Sequence, residues 1–237
     1  MKRKNIDQIQ SLEAPPKIVN IFSEKEIKMM QELYAILPET VFNKKQNVRK
    51  KSWIANYNKE LDKIYFDKIK DVLGDFKMDT LKDKTGKYYY GLFHESFSPL
   101  PLHVDSGFNE EAIIFKQVVT PLSSFGDTVV FKNRWYGKST TFTIDADELK
   151  FKPKAGQNDR SSEHLGNGEF DKEIYQKYLT HIDINNLKGL EVELIYNWKI
   201  GETLIMDRTH IHSSSSRIND KKLGLTTFTK KNKNLIK

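Results

Sequence analysis

The sequence predicts an α+β fold, mainly β, of the sandwich or barrel type. Three observations carry this. Helical apolar spacing is confined to about the first 75 residues. A run of short β-branched and aromatic segments begins near residue 86. Three more such segments follow a long polar tract. The 237 residues are expected to form a single domain. An N-terminal arm and helices occupy 1–85, and a β core occupies 86–237 with an insertion at about 151–186.

The elements follow in order. Residues 1–22 are polar, contain Pro15-Pro16 and read as an irregular arm ending in the apolar run 18–22. Ser23 with Glu26 three residues on forms a capping box, and Ile27, Met30, Leu33 and Ile36 keep helical spacing until Pro38. A second helix fits 59–73, with Leu61, Ile64, Tyr65, Ile69, Val72 and Leu73 on one side and Gly74 at its end. KYYYGLF, EAIIFKQVVTPL, DTVVFKNRWYG and STTFTI then read as strands. The insertion is a loop by composition with a helix near 171–178, and its excess length suggests a lid or pocket wall. LEVELIYNW, ETLIMDRTHIH and LGLTTFTKK close the pattern as three strands.

Composition narrows the chemistry. The chain is 38% hydrophobic and 30% charged, enough apolar material for a core. It has no cysteine, which excludes disulfides, thiolate-bound zinc, iron–sulfur clusters and thiol catalysis. Any metal must therefore be held by His, Asp or Glu. The net charge of +7 permits a nucleic-acid or anionic partner without establishing one. The N-terminus lacks the apolar core of a signal peptide and no stretch is apolar enough to span a membrane. A cytoplasmic protein without membrane contact is expected.

Six histidines stand out. His103 and Asp105 form H-x-D, whose side chains share one face of a strand. His210 and His212 share a face far along the chain, in GETLIMDRTHIHSSSSR. Either would complete a two-His, one-carboxylate set that holds a metal and leaves positions open for ligands. Only a fold that joins early and late strands, such as a jelly roll, closes that gap. His94 reads as a pocket or core residue, while His164 and His181, in the polar insertion, read as surface residues.

With H-x-D at His103/Asp105, GDTVVF at 126–131, the W-x-x-G-E-x-L-I-x-D-R-x-x-x-H-S-S pattern from Trp198 and KLGLTTF from Lys222, the chain resembles the Fe(II)- and 2-oxoglutarate-dependent oxygenases. The likeness lies in their phytanoyl-CoA/prolyl hydroxylase-like range and covers roughly 86–230. It implies a double-stranded β-helix, or cupin-like jelly roll, with supporting helices. It implies Fe(II), 2-oxoglutarate as cosubstrate and O2, with hydroxylation of a C–H bond and release of succinate and CO2.

The family spacing favours His212, 11 positions after Gly201, over His210 as the distal ligand. It puts Lys222, ten positions after His212, on the far carboxylate of 2-oxoglutarate, with Arg217 as the alternative cation. The hydroxyl often found two residues beyond the cation is replaced by Gly224, so Tyr88, Tyr90 or Gln117 is expected to supply a hydrogen bond. Trp135 and Tyr136 are candidate pocket aromatics and Trp198 a core one. A small-molecule substrate is expected, with a protein or nucleic acid as the alternative. A non-catalytic cupin-like binding protein is the competing reading, prompted by H-I-H at 210–212.

Overall fold

The computed structural model describes residues 3–39, 41–43, 47–82, 86–143, 157–159, 168–218 and 220–232, with backbone only at 41–43, 143 and 157–159. Much of the polar insertion, His164 included, lies outside the described residues.

The N-terminal third holds α1 (Ile6–Gln10), β1 (Lys17–Asn20), α2 (Glu24–Ile36), β2 (Val41–Asn43), β3 (Val48–Ile54) and α3 (Lys59–Leu73). The two long helices start and stop where their caps dictate. Ser23 and Glu26 make the reciprocal capping box of α2. The Asn58 side chain accepts from Leu61 N at the start of α3, and Gly74, at φ +67°, ends it. The arm is more ordered than its composition suggests. It contains α1, and β1 pairs with a late strand through Lys17–Ile205 and its neighbours. The β2–β3 hairpin is also unanticipated: in VRKKSWI three successive cations interrupt the apolar alternation, although β3 pairs with β2 on one side and a later strand on the other.

The β core comprises β4 (Lys77–Met78), β5 (Leu81–Lys82), β6 (Tyr88–Ser96), β7 (His103–Val104), β8 (Ile113–Pro121), β9 (Asp127–Arg134), β10 (Thr140–Thr143) and β11 (Gln157–Asp159). After α4 (Lys172–Ile174), a π turn at Tyr175–Leu179 and a 3-10 turn at Ile184–Leu187, it resumes. The late strands are β12 (Val192–Asn197), β13 (Glu202–Asp207), β14 (His210–Ser214) and β15 (Lys222–Lys231). ETLIMDRTHIH is thus two strands rather than one, broken at Arg208-Thr209, and its halves belong to different sheets.

One sheet runs β1-β13-β8-β15-β6-β3-β2, with β4 beside β15 and β5 beside β6; the other runs β11-β10-β7-β14-β9-β12. Pairing is antiparallel apart from β10 with β11. The large sheet packs α2 and α3 on its outer face, where Met30, Leu61, Tyr65 and Ile69 meet Phe93, Val118 and Leu225. Such fully buried side chains each contribute roughly 1.5–3 kcal/mol. Between the sheets, Val119, Leu204 and Met206 meet Val130 and Tyr196. The described end of the insertion forms a third layer. Phe170, Leu179 and Leu187 cover Val129, Phe131 and Ile211 on the small sheet's outer face. Among the described residues, no helix is long and apolar enough to cross a membrane.

Candidate metal and cosubstrate site

The interior between the sheets is filled at one end and open at the other. At the open end β7 and β14 pair through His103 and His212, whose rings stand 4.2 Å apart. Asp105 follows β7 directly. Its Oδ2 lies 3.8 Å from His103 Nε2 and 3.6 Å from His212 Nε2. One ligand atom from each of the three residues falls within 4.8 Å of the others, the only such group of three or more His, Cys, Asp or Glu among the described residues.

The hydrogen bonds around the two imidazoles fix their protonation. His103 Nδ1 lies 2.7 Å from Pro101 O, and His212 Nδ1 lies 3.0 Å from His210 O. A carbonyl only accepts, so each Nδ1 carries a proton, and in the neutral ring Nε2 is the nitrogen with the free lone pair on the Asp105 side. Burial, reinforced by the charge of His212, pushes His103 down to about 4 and keeps it neutral. Burial alone would raise the Asp105 carboxyl. The adjacent His212 and His103 rings, which attract the carboxylate whenever they are protonated, outweigh it and hold the group below the usual carboxylate range. Two neutral imidazole nitrogens and one carboxylate form a donor set suited to a divalent iron.

A cavity runs inward from the three side chains between the sheets, about 580 Å³ including its open mouth. Gln117 on β8 donates from Nε2 to Asp105 Oδ2 at 3.0 Å. Deeper in, Lys222 on β15 is 5% exposed. Its Nζ donates to Asp127 O at 2.7 Å and sits 3.9 Å over the Trp198 ring. Burial pushes its ammonium down to about 7, against the opposing pull of Asp127. Two glycines make room for this arrangement. A Cβ on Gly126, at φ +98°, would lie 2.7 Å from Lys222 Cδ, and one on Gly224 would lie 2.5 Å from the Trp198 ring. Thr226 also lines the cavity, so the hydroxyl lacking at position 224 is present two residues further on the same face.

The other expected residues go elsewhere. Arg217 is exposed, stacked near Tyr178 and 3.9 Å from Asp127, outside the cavity lining. Tyr90 would share the His94 face on a regular strand. The bulge between the Trp53–Gly91 and Ile54–Tyr89 pairs turns it to the helix side, edge-on to Trp53. Tyr88 is exposed beneath Lys82. His210 faces away from the cavity because a register shift separates it from His212, and its Nε2 meets Glu193 at 3.0 Å. His181 is not a surface residue: it is partly buried, with Nε2 3.0 Å from Leu100 O and 3.3 Å from Ser213 Oγ. Trp198 lines the cavity, whereas Trp135 packs edge-on to Phe142 and Tyr136 bonds to Glu13.

Two buried arginines that composition does not single out support the Asp105 loop. Arg208 Nε donates to Asp105 O at 3.1 Å and Nη1 to Asp79 at 2.6 Å. Arg3, from the N-terminal arm, donates to Ser106 O and, at 2.8 Å, to Gly107 O. The serine run after His212 is a set of ties. Ser213 Oγ donates to Leu100 O at 2.8 Å, and Ser215 Oγ to Asp127 Oδ2 at 2.7 Å, beside the carbonyl that holds Lys222.

No protein-family model and no curated protein matches the sequence. Solved structures do match the fold. One is HygX from Streptomyces hygroscopicus with nickel and 2-oxoglutarate bound, at 9% identity and TM-score 0.51, covering 98% of this chain and 88% of that one. Another is the non-haem α-ketoglutarate-dependent carbocyclase SnoK from nogalamycin biosynthesis, at 9% identity and TM-score 0.50, covering 98% and 86%. The chain therefore shares its fold with solved 2-oxoglutarate-dependent non-haem enzymes.

Proposed function

We propose that the protein is an Fe(II)- and 2-oxoglutarate-dependent dioxygenase on a double-stranded β-helix, hydroxylating a C–H bond of a small-molecule substrate. The observation that carries this is the pairing of a two-His, one-carboxylate set with a buried, charge-unsatisfied lysine in one cavity. His103, Asp105 and His212 would hold the iron. Lys222 would hold the far carboxylate of 2-oxoglutarate, and Thr226 could add a hydroxyl contact. When bound, iron and cosubstrate supply the oxidative chemistry by which O2 and 2-oxoglutarate yield succinate, CO2 and a hydroxylated product.

This chain's residues prepare that chemistry. Pro101 O and His210 O each hold an Nδ1 proton, so that Nε2 is the ligand atom of each neutral ring, and Gln117 orients the Asp105 carboxylate. An ammonium buried beside the Asp127 carbonyl, the Thr128 hydroxyl and an indole face, with no carboxylate in ion-pair contact among the described residues, is costly, and a dianionic cosubstrate relieves that cost. The cupin-like binding reading loses its prompt, because His210 of the H-I-H run turns to Glu193. The test is anaerobic titration of the iron-loaded protein with 2-oxoglutarate, following the metal-to-ligand charge-transfer band. Then succinate release is followed under O2 against a metabolite panel. A band and substrate-stimulated succinate are expected; no iron uptake, or no band, overturns the reading.

A further inference from the structure

The three proposed ligands have a second open side. A cavity distinct from the Lys222 chamber meets it at His94, Leu100, His103 and Asp105, and its outer wall includes Lys50, Phe108 and Thr141. The proposed metal therefore stands between two chambers, and each contains a lysine.

Lys50 lies on β3 directly across from His94 on β6. Its neighbours in the cationic run are committed. Arg49 pairs with Glu39 at 2.7 Å and Glu95 at 2.5 Å, and Lys51 Nζ donates to Tyr34 O at 2.7 Å. Glu95 also faces Lys221 at 3.6 Å. Among the described residues, Lys50 Nζ has no ion pair and no hydrogen bond. It lines the same cavity as His94 and His103. Asp105, the carboxylate that faces this cavity, already accepts from Gln117 and is a proposed metal ligand. The rim carries an apolar face as well: Phe108, three residues after Asp105, is 68% exposed.

We infer that this outer chamber is the substrate site and that it takes a small molecule bearing a carboxylate or phosphate on an apolar body. Lys50 is the specificity-determining cation and Phe108 covers the apolar part. This rests on the dioxygenase reading only for what happens to the substrate afterwards. An ammonium at a concave polar wall, with no ion pair of its own among the described residues, recognises an anion by charge-assisted hydrogen bonding. A half-buried pair of this kind is worth more than an exposed one because salt screens it less. An anion held at Lys50 leaves the rest of the molecule facing the open side of His103 and Asp105.

Calorimetry with three probes of one shape tests this: phenylacetate, phenyl phosphate and the neutral phenylacetamide. They are titrated into protein loaded with Zn(II) and 2-oxoglutarate, and in parallel into metal-free protein. At least one anion should bind about tenfold more tightly than the amide, and added salt should weaken it. The stronger anion identifies a carboxylate or a phosphate substrate. Lys50→Met should remove the preference while zinc and 2-oxoglutarate bind as in the parent; Lys50→Gln serves if the Met variant misfolds. Equal affinity for anion and amide, or an unchanged preference in both variants, would overturn the inference. If zinc or 2-oxoglutarate fails to bind the parent, the dioxygenase reading falls instead, and the metal-free titration still reports on Lys50.

Discussion

His212 stands directly across from His103 in the ladder between β14 and β7, their rings 4.2 Å apart, although 109 positions separate them in the chain. A metal held by both imidazoles would staple the pair, and the strand pairing in turn sets the spacing between the ligands. Asp105 needs no strand of its own, because it follows β7 within two residues and is held by Arg208 and Gln117.

His103→Ala and His212→Ala are each expected to abolish stoichiometric iron binding, measured by elemental analysis after anaerobic loading. His210→Gln should keep the iron. It should lower stability by about 1–3 kcal/mol in urea, since it disturbs a buried hydrogen bond to Glu193. Iron retained by H212A and lost by H210Q would reverse the assignment.

Lys222→Met is expected to weaken 2-oxoglutarate on the order of a hundredfold, by analogy with broken buried pairs, while iron binding survives. The same change should stabilise the ligand-free protein. Folding lowers the Lys222 pKa from 10.5 to about 7, so between those values the unfolded chain binds more protons at this site. Stability contributed here therefore rises with pH across that window, and the full cost is present below it. Urea melts at about pH 6.5 and about pH 9 should show the larger gain for the variant at the lower pH. A parent-like 2-oxoglutarate titration in K222M with a weakened one in Arg217→Ala would move the role to Arg217.

Gln117→Leu removes the amide that orients Asp105. Partners of metal ligands usually contribute 10–100-fold in affinity, and a loss of about that size is expected in an iron or zinc titration. Cosubstrate affinity, measured at saturating metal, should change less. Unchanged metal affinity would show that the Asp105 carboxylate is held by the imidazoles and the Arg208 contact to its backbone.

Arg208→Met breaks the buried pair with Asp79 and removes the donor to Asp105 O. Lys230, 2.9 Å from Asp79, remains, so a loss of about 2–4 kcal/mol in urea is expected. Burial raises the Asp79 carboxyl but Arg208 and Lys230 outweigh it, so its folded pKa lies below 3.8. The stability it contributes is present above that value and lost as pH falls through the lower folded one. The variant should accordingly show a shallower acid transition than the parent.

Much of the site is legible in the sequence because its signals are local. H-x-D needs only two positions, and the two long helices declare themselves through Ser23, Glu26 and Gly74. What escapes is set by tertiary register. The bulge beside Tyr90 and the shift between His210 and His212 each reverse which way a side chain points, and no residue type nearby announces either. Arg3 and Arg208 carry no local sign of burial, because Asp79 and the 105–109 backbone that receive them are far away in the chain. His181 reads as polar and exposed because its partners, Leu100 and Ser213, are far away in the chain.

The position of β15 governs when this protein can exist as a folded object at all. It lies between β8 and β6 inside the large sheet, pairing Thr227 with Gly91 and with Val118. Everything before residue 222 therefore waits on the ribosome with two strand edges open toward a gap. Loops of more than a hundred residues must close before those edges are satisfied, and such long-range pairing is slow. The nascent chain is thus exposed to aggregation until β15 emerges. A translational stall just upstream of β15 would leave an incomplete sheet and an aggregation-prone chain without Lys222.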